Sequence, residues 1–191
     1  MFAKDYVKNW PIATDLNVRN DLKNHSYEQI LEIQNSLTLP YAVAAINVNG
    51  DLNLGTIMRS AVLFTAERFL LFGNKRFDRR STVGAQNYIA FDKIECDIVE
   101  NEVDQSIFYN TLKEYDYIPV FIETNGKDIN YVDWKTIHRP CLVFGNEGYG
   151  ISQKFIGDNQ IVSIPQRGVM RSLNVASAAS IACYLVSQSL S

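Results

Sequence analysis

The chain has 191 residues, 47% of them apolar and 20% charged, which fits one domain of ordinary size with a small appendage. A net charge of -3 and a pI near 5.4 argue against a protein that coats nucleic acid generically, while leaving room for a local basic patch. Cys96, Cys141 and Cys183 lie in apolar surroundings and only His25 and His138 could join them, so no metal cluster is expected and a reduced, cytoplasmic setting is.

Residues 1–39 are rich in Asn, Lys and Asp and poor in strand signals. Met1 to Tyr41 is polar and broken by Pro11, so no signal peptide is expected, and no apolar run in the chain is long enough for a membrane span. In HSYEQILEIQNSL, Tyr27, Ile30, Leu31 and Gln34 share a helical face, with Ser26 as N-cap. The region reads as a helical arm, 1–39, and Pro40 separates it from a body, 40–191.

The body alternates. YAVAAIN (41–47) predicts a buried strand, and Leu54, Ile57, Met58 and Ala61 predict a helix that Asp51 or Asn53 can cap. RFLLFG (68–73) and IECDIV (94–99) predict two more strands, followed by a helix over Gln105 to Glu114. YIPVFIET (117–124) and PCLVFG (140–145) are strands, and a short helix begins after Ser152. QIVSIP (160–165) is the last strand, and Val175, Ala178, Ala179, Ala182 and Val186 mark the final helix. Six short strands, continuously apolar and interleaved with helices, predict an α/β domain with a mainly parallel sheet flanked by helices. Ligands of such sheets sit where loops leave the strand C-termini.

Three of those loops have unusual content. In NVNGDLNLGTIMRSA, Gly55 permits close backbone approach and Arg59 lies one turn further on the same face, or is simply solvated. LVFGNEGYGIS puts three glycines around Glu147, at the ligand edge or in an exposed turn. IPQRGVMRSLNVASAAS runs from a strand through Arg167 and Arg171 into a helix of small residues, with Ser172 or Asn174 available as N-cap.

Taken in order, DLNLGTIMRSA, LVFGNEGYGIS and IPQRGVMRSLNVASAAS resemble the three motifs of the SpoU/TrmH family of RNA ribose 2'-O-methyltransferases, in the SPOUT superfamily. The likeness covers about Tyr41 to Gln188, and STVGAQNY (81–88) also looks like a family segment. The third motif is especially similar to that of the branch modifying guanosine in the tRNA D-loop. One departure is that Phe64 is followed by Thr65, where the family usually has a Phe-Gly pair.

The resemblance implies a C-terminal deep trefoil knot, a homodimer and S-adenosyl-L-methionine as cofactor. The matching cofactor segments hold Glu123, Thr124 and Gly126; Phe144, Gly145 and Asn146; Ile164 and Gln166; Ser172 and Leu173. It gives the 2'-hydroxyl's activation to Arg59, either as a base helped by an RNA phosphate or as a cation beside the developing alkoxide. Asn53 and Ser172 would position Arg59 or the ribose, Glu147 would fix Asn53, Arg59 or the cofactor, and Asn174 would cap the last helix. The RNA substrate implied is tRNA, with ribosomal RNA or a non-catalytic RNA-binding role as alternatives. Lys75, Arg76, Arg79 and Arg80, with Arg167 and Arg171, are candidate phosphate contacts, or solvated charges. Lys4, Lys8, Arg19 and Lys23 of the arm could grip RNA or cover a dimer partner.

Overall fold

A computed structural model of the chain describes residues 17–191. Lys4 and Lys8 lie outside the described residues. The elements are α1 (Tyr27–Leu37), β1 (Leu39–Ile46), α2 (Asp51–Leu63), β2 (Ala66–Phe72), α3 (Arg79–Thr82), β3 (Ala90–Ile94), β4 (Ile98–Val99) and β5 (Glu102–Val103). They continue as α4 (Gln105–Glu114), β6 (Ile118–Asp128), β7 (Pro140–Phe144), α5 (Gln153–Ile156), β8 (Gln160–Ser163) and α6 (Val175–Leu190). Six strands form one sheet in the order β3-β2-β1-β7-β6-β8, and every pairing within it is parallel.

Both faces of the sheet are covered, which is why its central strands read as unbroken apolar runs. Alternate residues of β1 point to opposite layers. Val43 and Ala45 pack with Leu54, Ile57 and Met58 of α2 and with Ala179, Ala182 and Val186 of α6. Ala42, Ala44 and Ile46 face Phe108 and Leu112 of α4 and Phe155 of α5. Phe108 centres that second layer, with ring centroids 5.0 Å from Phe72 and 5.2 Å from Phe155. Cys141 and Cys183 are fully buried free thiols, and burial pushes the Cys183 thiol up to about 12.

The third sheet strand differs from expectation. It is Ala90–Ile94, not 94–99; Ile98–Val99 pairs antiparallel with Glu102–Val103 instead. Glu100 and Asn101 both have positive φ, at 52° and 70°, the two-residue turn that matches hairpin twist. The true strand was disguised because it is an edge, half exposed and carrying Asp92 and Lys93. Asp92 is held by an ion pair to Arg68 of β2. The cap of α2 also differs: Gly50 occupies the N-cap position, and Asp51 and Asn53 lie in the first turn.

The described part of the arm docks on the body. Ser26 and Gln29 form a reciprocal capping box at α1, and Ile30 is buried among Val18, Leu22, Tyr27 and Tyr88. Tyr27 donates to the Asn87 carbonyl at 2.9 Å.

Thr65 sits just past the end of α2 with φ of 59°, a left-handed conformation that a β-branched residue tolerates poorly. Thr65→Gly is expected to stabilise the fold by roughly 0.5–1 kcal/mol, net of the added freedom of the unfolded chain. Urea or thermal unfolding measures it; an unchanged or lower midpoint would show that Thr65 is not strained.

Candidate active site

The strand order reverses direction between β1 and β7. β1 runs into α2 on one face, and β7 runs towards α5 on the other, so their loops diverge at the strand C-termini and leave a crevice. Parallel pairing of Ala42–Ala45 with Cys141–Phe144 brings residues about a hundred positions apart in sequence side by side. At the top of this pair, Asn146 Nδ2 donates to the Asn47 carbonyl at 3.0 Å, and Asn47 Nδ2 donates to the Asn101 carbonyl at 2.6 Å.

Above that seam the three sequence motifs meet. Asn53 Nδ2 donates to Glu147 Oε1 at 2.6 Å, and the Asn49 N–H donates to Glu147 Oε2 at 2.8 Å. Asn174 Nδ2 donates to Asn53 Oδ1 at 3.1 Å. Asn174 Oδ1 accepts from the N–H groups of Ala176 and Ser177, so Asn174 caps α6, and Ser172 does not. One chain of amide and carboxylate bonds thus links residues 53, 147 and 174. Both oxygens of Glu147 are committed within it.

Beside it opens a cavity of about 350 Å³. Ile122, Glu123, Thr124 and Asn125 form one wall, and Phe144 to Ile151 another. Ile164, Gln166 and Arg171 to Leu173 close it. Of the expected cofactor residues, Glu123, Thr124, Phe144, Gly145, Asn146, Ile164, Gln166, Ser172 and Leu173 line the cavity. Gly126 does not. The register of β6 against β8 slips between Ile122 and Lys127, both of which pair with Val162. Residues 123–126 therefore bulge from the sheet, and a Cβ on Gly126 would lie 2.5 Å from the backbone of Ile161 and Val162. Gly126 is a point of close approach between β6 and its sheet neighbour β8, not a wall. Glu123 is half-buried, and desolvation raises its carboxyl above the usual carboxylate range; it accepts the Ile151 N–H at 2.8 Å.

Arg59 is not brought to this cavity. It projects from the exposed face of α2 and has no hydrogen bond or ion pair among the described residues. Ser172 lines the cavity and Arg171 stands at its edge, whereas Arg167 is exposed on the loop between β8 and α6. Lys75 and Arg76, on the segment between β2 and α3, and Arg79 and Arg80, in the first turn of α3, are all exposed. That segment docks at the start of α2: the Asp78 N–H bonds the Asp51 carbonyl, and a Cβ on Gly55 would strike Ser81. Arg80 is already paired with Asp78, whose carboxyl its hydrogen bonds hold below the usual range. Asn47, Asn49 and Glu102 were not singled out from sequence. For Asn47 and Asn49 the one signal is the polar NVNG turn, where asparagine tolerates the left-handed backbone of Asn47, φ 48°.

The model of the SpoU rRNA Methylase family matches residues 40–184. The chain belongs to this family of RNA methyltransferases. Among solved structures, the A. aeolicus TrmH/SpoU tRNA modifying enzyme is similar at a TM-score of 0.68 and 21% identity, over 85% of this chain and 83% of that one. The SpoU methyltransferase AviRb from Streptomyces viridochromogenes, crystallised with the cofactor AdoMet, is similar at 0.64 and 21%, over 78% of this chain and 58% of that one. An RNA 2'-O ribose methyltransferase is similar at 0.64 and 20%, over 80% and 58%. The chain therefore spans less than two thirds of the last two, and these likenesses establish the fold. No curated protein matches the sequence.

The Asn53–Glu147 bond is short and charge-assisted, so the two residues should couple energetically. A double-mutant cycle of Asn53→Ala and Glu147→Ala in urea unfolding is expected to give a coupling of about 1–2 kcal/mol. Additive effects of the two changes would mean that the motifs are merely neighbours.

Proposed function

We propose that this protein transfers a methyl group from S-adenosyl-L-methionine to a ribose 2'-hydroxyl of tRNA, with the D-loop guanosine as the first position to test. The observation that carries the reading is the hydrogen-bonded chain from Asn53 through Glu147 to Asn174, set beside the cavity. Its residues fit the cofactor: the volume lies in the range of small-molecule sites, the apolar faces are Ile122, Ile164 and Leu173, and backbone carbonyls of the surrounding loops are available as polar contacts. When bound, the cofactor supplies an electrophilic methyl group.

The 2'-hydroxyl is a poor nucleophile until its proton leaves or its charge is stabilised. Glu147 accepts from Asn49 and Asn53 and so serves to position the loop and helix that carry them. A guanidinium is a poor base and a good hydrogen-bond donor, so Arg59 serves as a cation beside the developing alkoxide. It faces away from its own cavity, and the surface around it explains how it can still act. Leu52, Thr56, Arg59 and Leu63 recur at helical spacing along the exposed face of α2, and Ser177, Ile181, Tyr184 and Gln188 do so along α6. The two helices lie side by side, joined by Ser60 Oγ and Ser180 Oγ at 2.7 Å. Leu52 and Leu63 remain 62% and 65% exposed. Two copies pairing through this face would bury these leucines and carry Arg59 to the other copy's cavity. The basic segment from Lys75 to Arg80, packed at the start of α2, then tracks the RNA backbone near the same edge.

Arg59→Ala is expected to lower methyl incorporation into tRNA at least 100-fold, with S-adenosylmethionine affinity by calorimetry unchanged. Turnover at the wild-type rate would remove Arg59 from the chemistry. Ribose mapping of RNA from cells with and without the gene distinguishes tRNA from ribosomal RNA; a lost mark on ribosomal RNA would overturn the tRNA assignment alone.

Pairing is tested separately. Leu63→Asp with Ile181→Asp should convert a dimer into a monomer in sedimentation velocity, and that monomer should bind cofactor but not methylate. A monomeric wild-type protein would refute the arrangement.

A further inference from the structure

The loop after β7 is held more tightly than any wall of a cavity requires. Every backbone N–H from Gly148 to Ser152 has an acceptor. Those of Gly148 and Tyr149 bond Asn146 Oδ1 at 2.8 and 3.2 Å, and that of Gly150 bonds the Asn146 carbonyl at 2.8 Å. The Ile151 N–H bonds Glu123 at 2.8 Å, and the Ser152 N–H bonds Glu102 at 3.0 Å. Asn146 itself is buried and anchored to Asn47. Gly150 takes φ of 66°, and a side chain there would meet the Glu123 carboxylate, so the turn has little freedom to deform.

This rigid turn carries one aromatic side chain, Tyr149. It lines the mouth of the cavity, yet the residue is 71% exposed, and its hydroxyl has no partner among the described residues. An aromatic ring that neither fills the core nor covers the cavity, on a backbone fixed by five consecutive bonds, is preorganised for a flat partner arriving from solvent. RNA bases presented to proteins out of their own stack are held in this way, by rings that accept any base's π-face. The reacting ribose must reach the cavity mouth, and its own base or the adjacent one then lies within reach of this rim.

We propose that Tyr149 is a substrate-positioning residue that stacks on an unpaired RNA base at or next to the methylated nucleotide. The proposal rests on the RNA-methylation reading above. Stacking, not the hydroxyl, carries the contact, so phenylalanine should replace tyrosine.

The test compares wild type, Tyr149→Phe and Tyr149→Ala for filter binding of unfractionated tRNA, for methyl incorporation, and for S-adenosylmethionine affinity by calorimetry. Tyr149→Ala should weaken tRNA binding and raise KM by roughly fivefold to 150-fold. Cofactor affinity should stay within about twofold in both variants, and Tyr149→Phe should bind tRNA like wild type, within the scatter expected of a surface change. Unaltered tRNA binding by Tyr149→Ala overturns the proposal. A parallel loss of cofactor affinity also overturns it, because the ring would then be a cover for the cofactor. If wild type binds tRNA with this pattern but transfers no methyl group, the methylation reading falls and the aromatic contact stands.

Discussion

Everything at this site depends on one pairing, that of β1 with β7. The two strands are separated by about a hundred residues and lie parallel at the centre of the sheet. Their connections depart to opposite faces, so no loop can bridge the gap above them. The gap is held from below by buried asparagines, Asn146 bonding the Asn47 carbonyl. Above it, Glu147 accepts from both Asn49 and Asn53, so a carboxylate from one strand end ties down the loop leaving the other. α6 joins through Asn174, whose two polar atoms face opposite ways: Oδ1 caps its own helix and Nδ2 reaches Asn53. A cap residue is thereby used as a strut between motifs.

An acidic protein that handles RNA must place its cations with care, because phosphate contacts dominate affinity. Here some cations are spent internally. Arg68 pairs with Asp92 and lies 4.2 Å from the Tyr115 ring, and Arg139 pairs with Glu67 beneath Tyr117. Arg68, at the start of β2, and Arg139, just before β7, mark the end of the sheet away from the cavity. Lys75 and Arg76 are displayed at the other end, where β2 finishes and its following segment packs against α2. Charge is thus sorted along the strand direction, and the sorting matters more than the total of -3.

Much of this was legible in the sequence. Five of the six expected strands form the sheet, because strands covered on both faces must be continuously apolar. The third failed because an edge strand obeys another rule: Asp92 and Lys93 blunt it against aggregation and erase its apolar signature. Glu147, Asn53 and Asn174 were identified by resemblance, and no local pattern specifies that they touch. The notable gaps are backbone matters. Gly126 falls inside a cofactor-like segment, yet its lack of a side chain serves the close approach of the β6 bulge to β8, which only tertiary structure reveals. Arg59 shares a helix with Asn53, six residues on, and that spacing turns it towards another face.

The two loops closing the cavity are built on opposite principles. The one from Asn146 to Ser152 has its N–H groups bonded from Gly148 onwards, and it will keep its shape whatever binds. The other, residues 165–173, makes no hydrogen bond to the rest of the described residues. Its Val169 is fully exposed at 103% and Met170 nearly so, an arrangement with little local stability of its own. Order there must come from outside the loop, by burying those apolar side chains or satisfying those amides. A second copy on the adjoining α6 face offers the first, and a ligand against Ser172 and Leu173 offers the second. In the proposed dimer both would act on the same nine residues, so each would lower the entropic cost of the other. The cavity is thus walled on one side by a loop whose amides are bonded and on the other by one whose side chains are free to solvent.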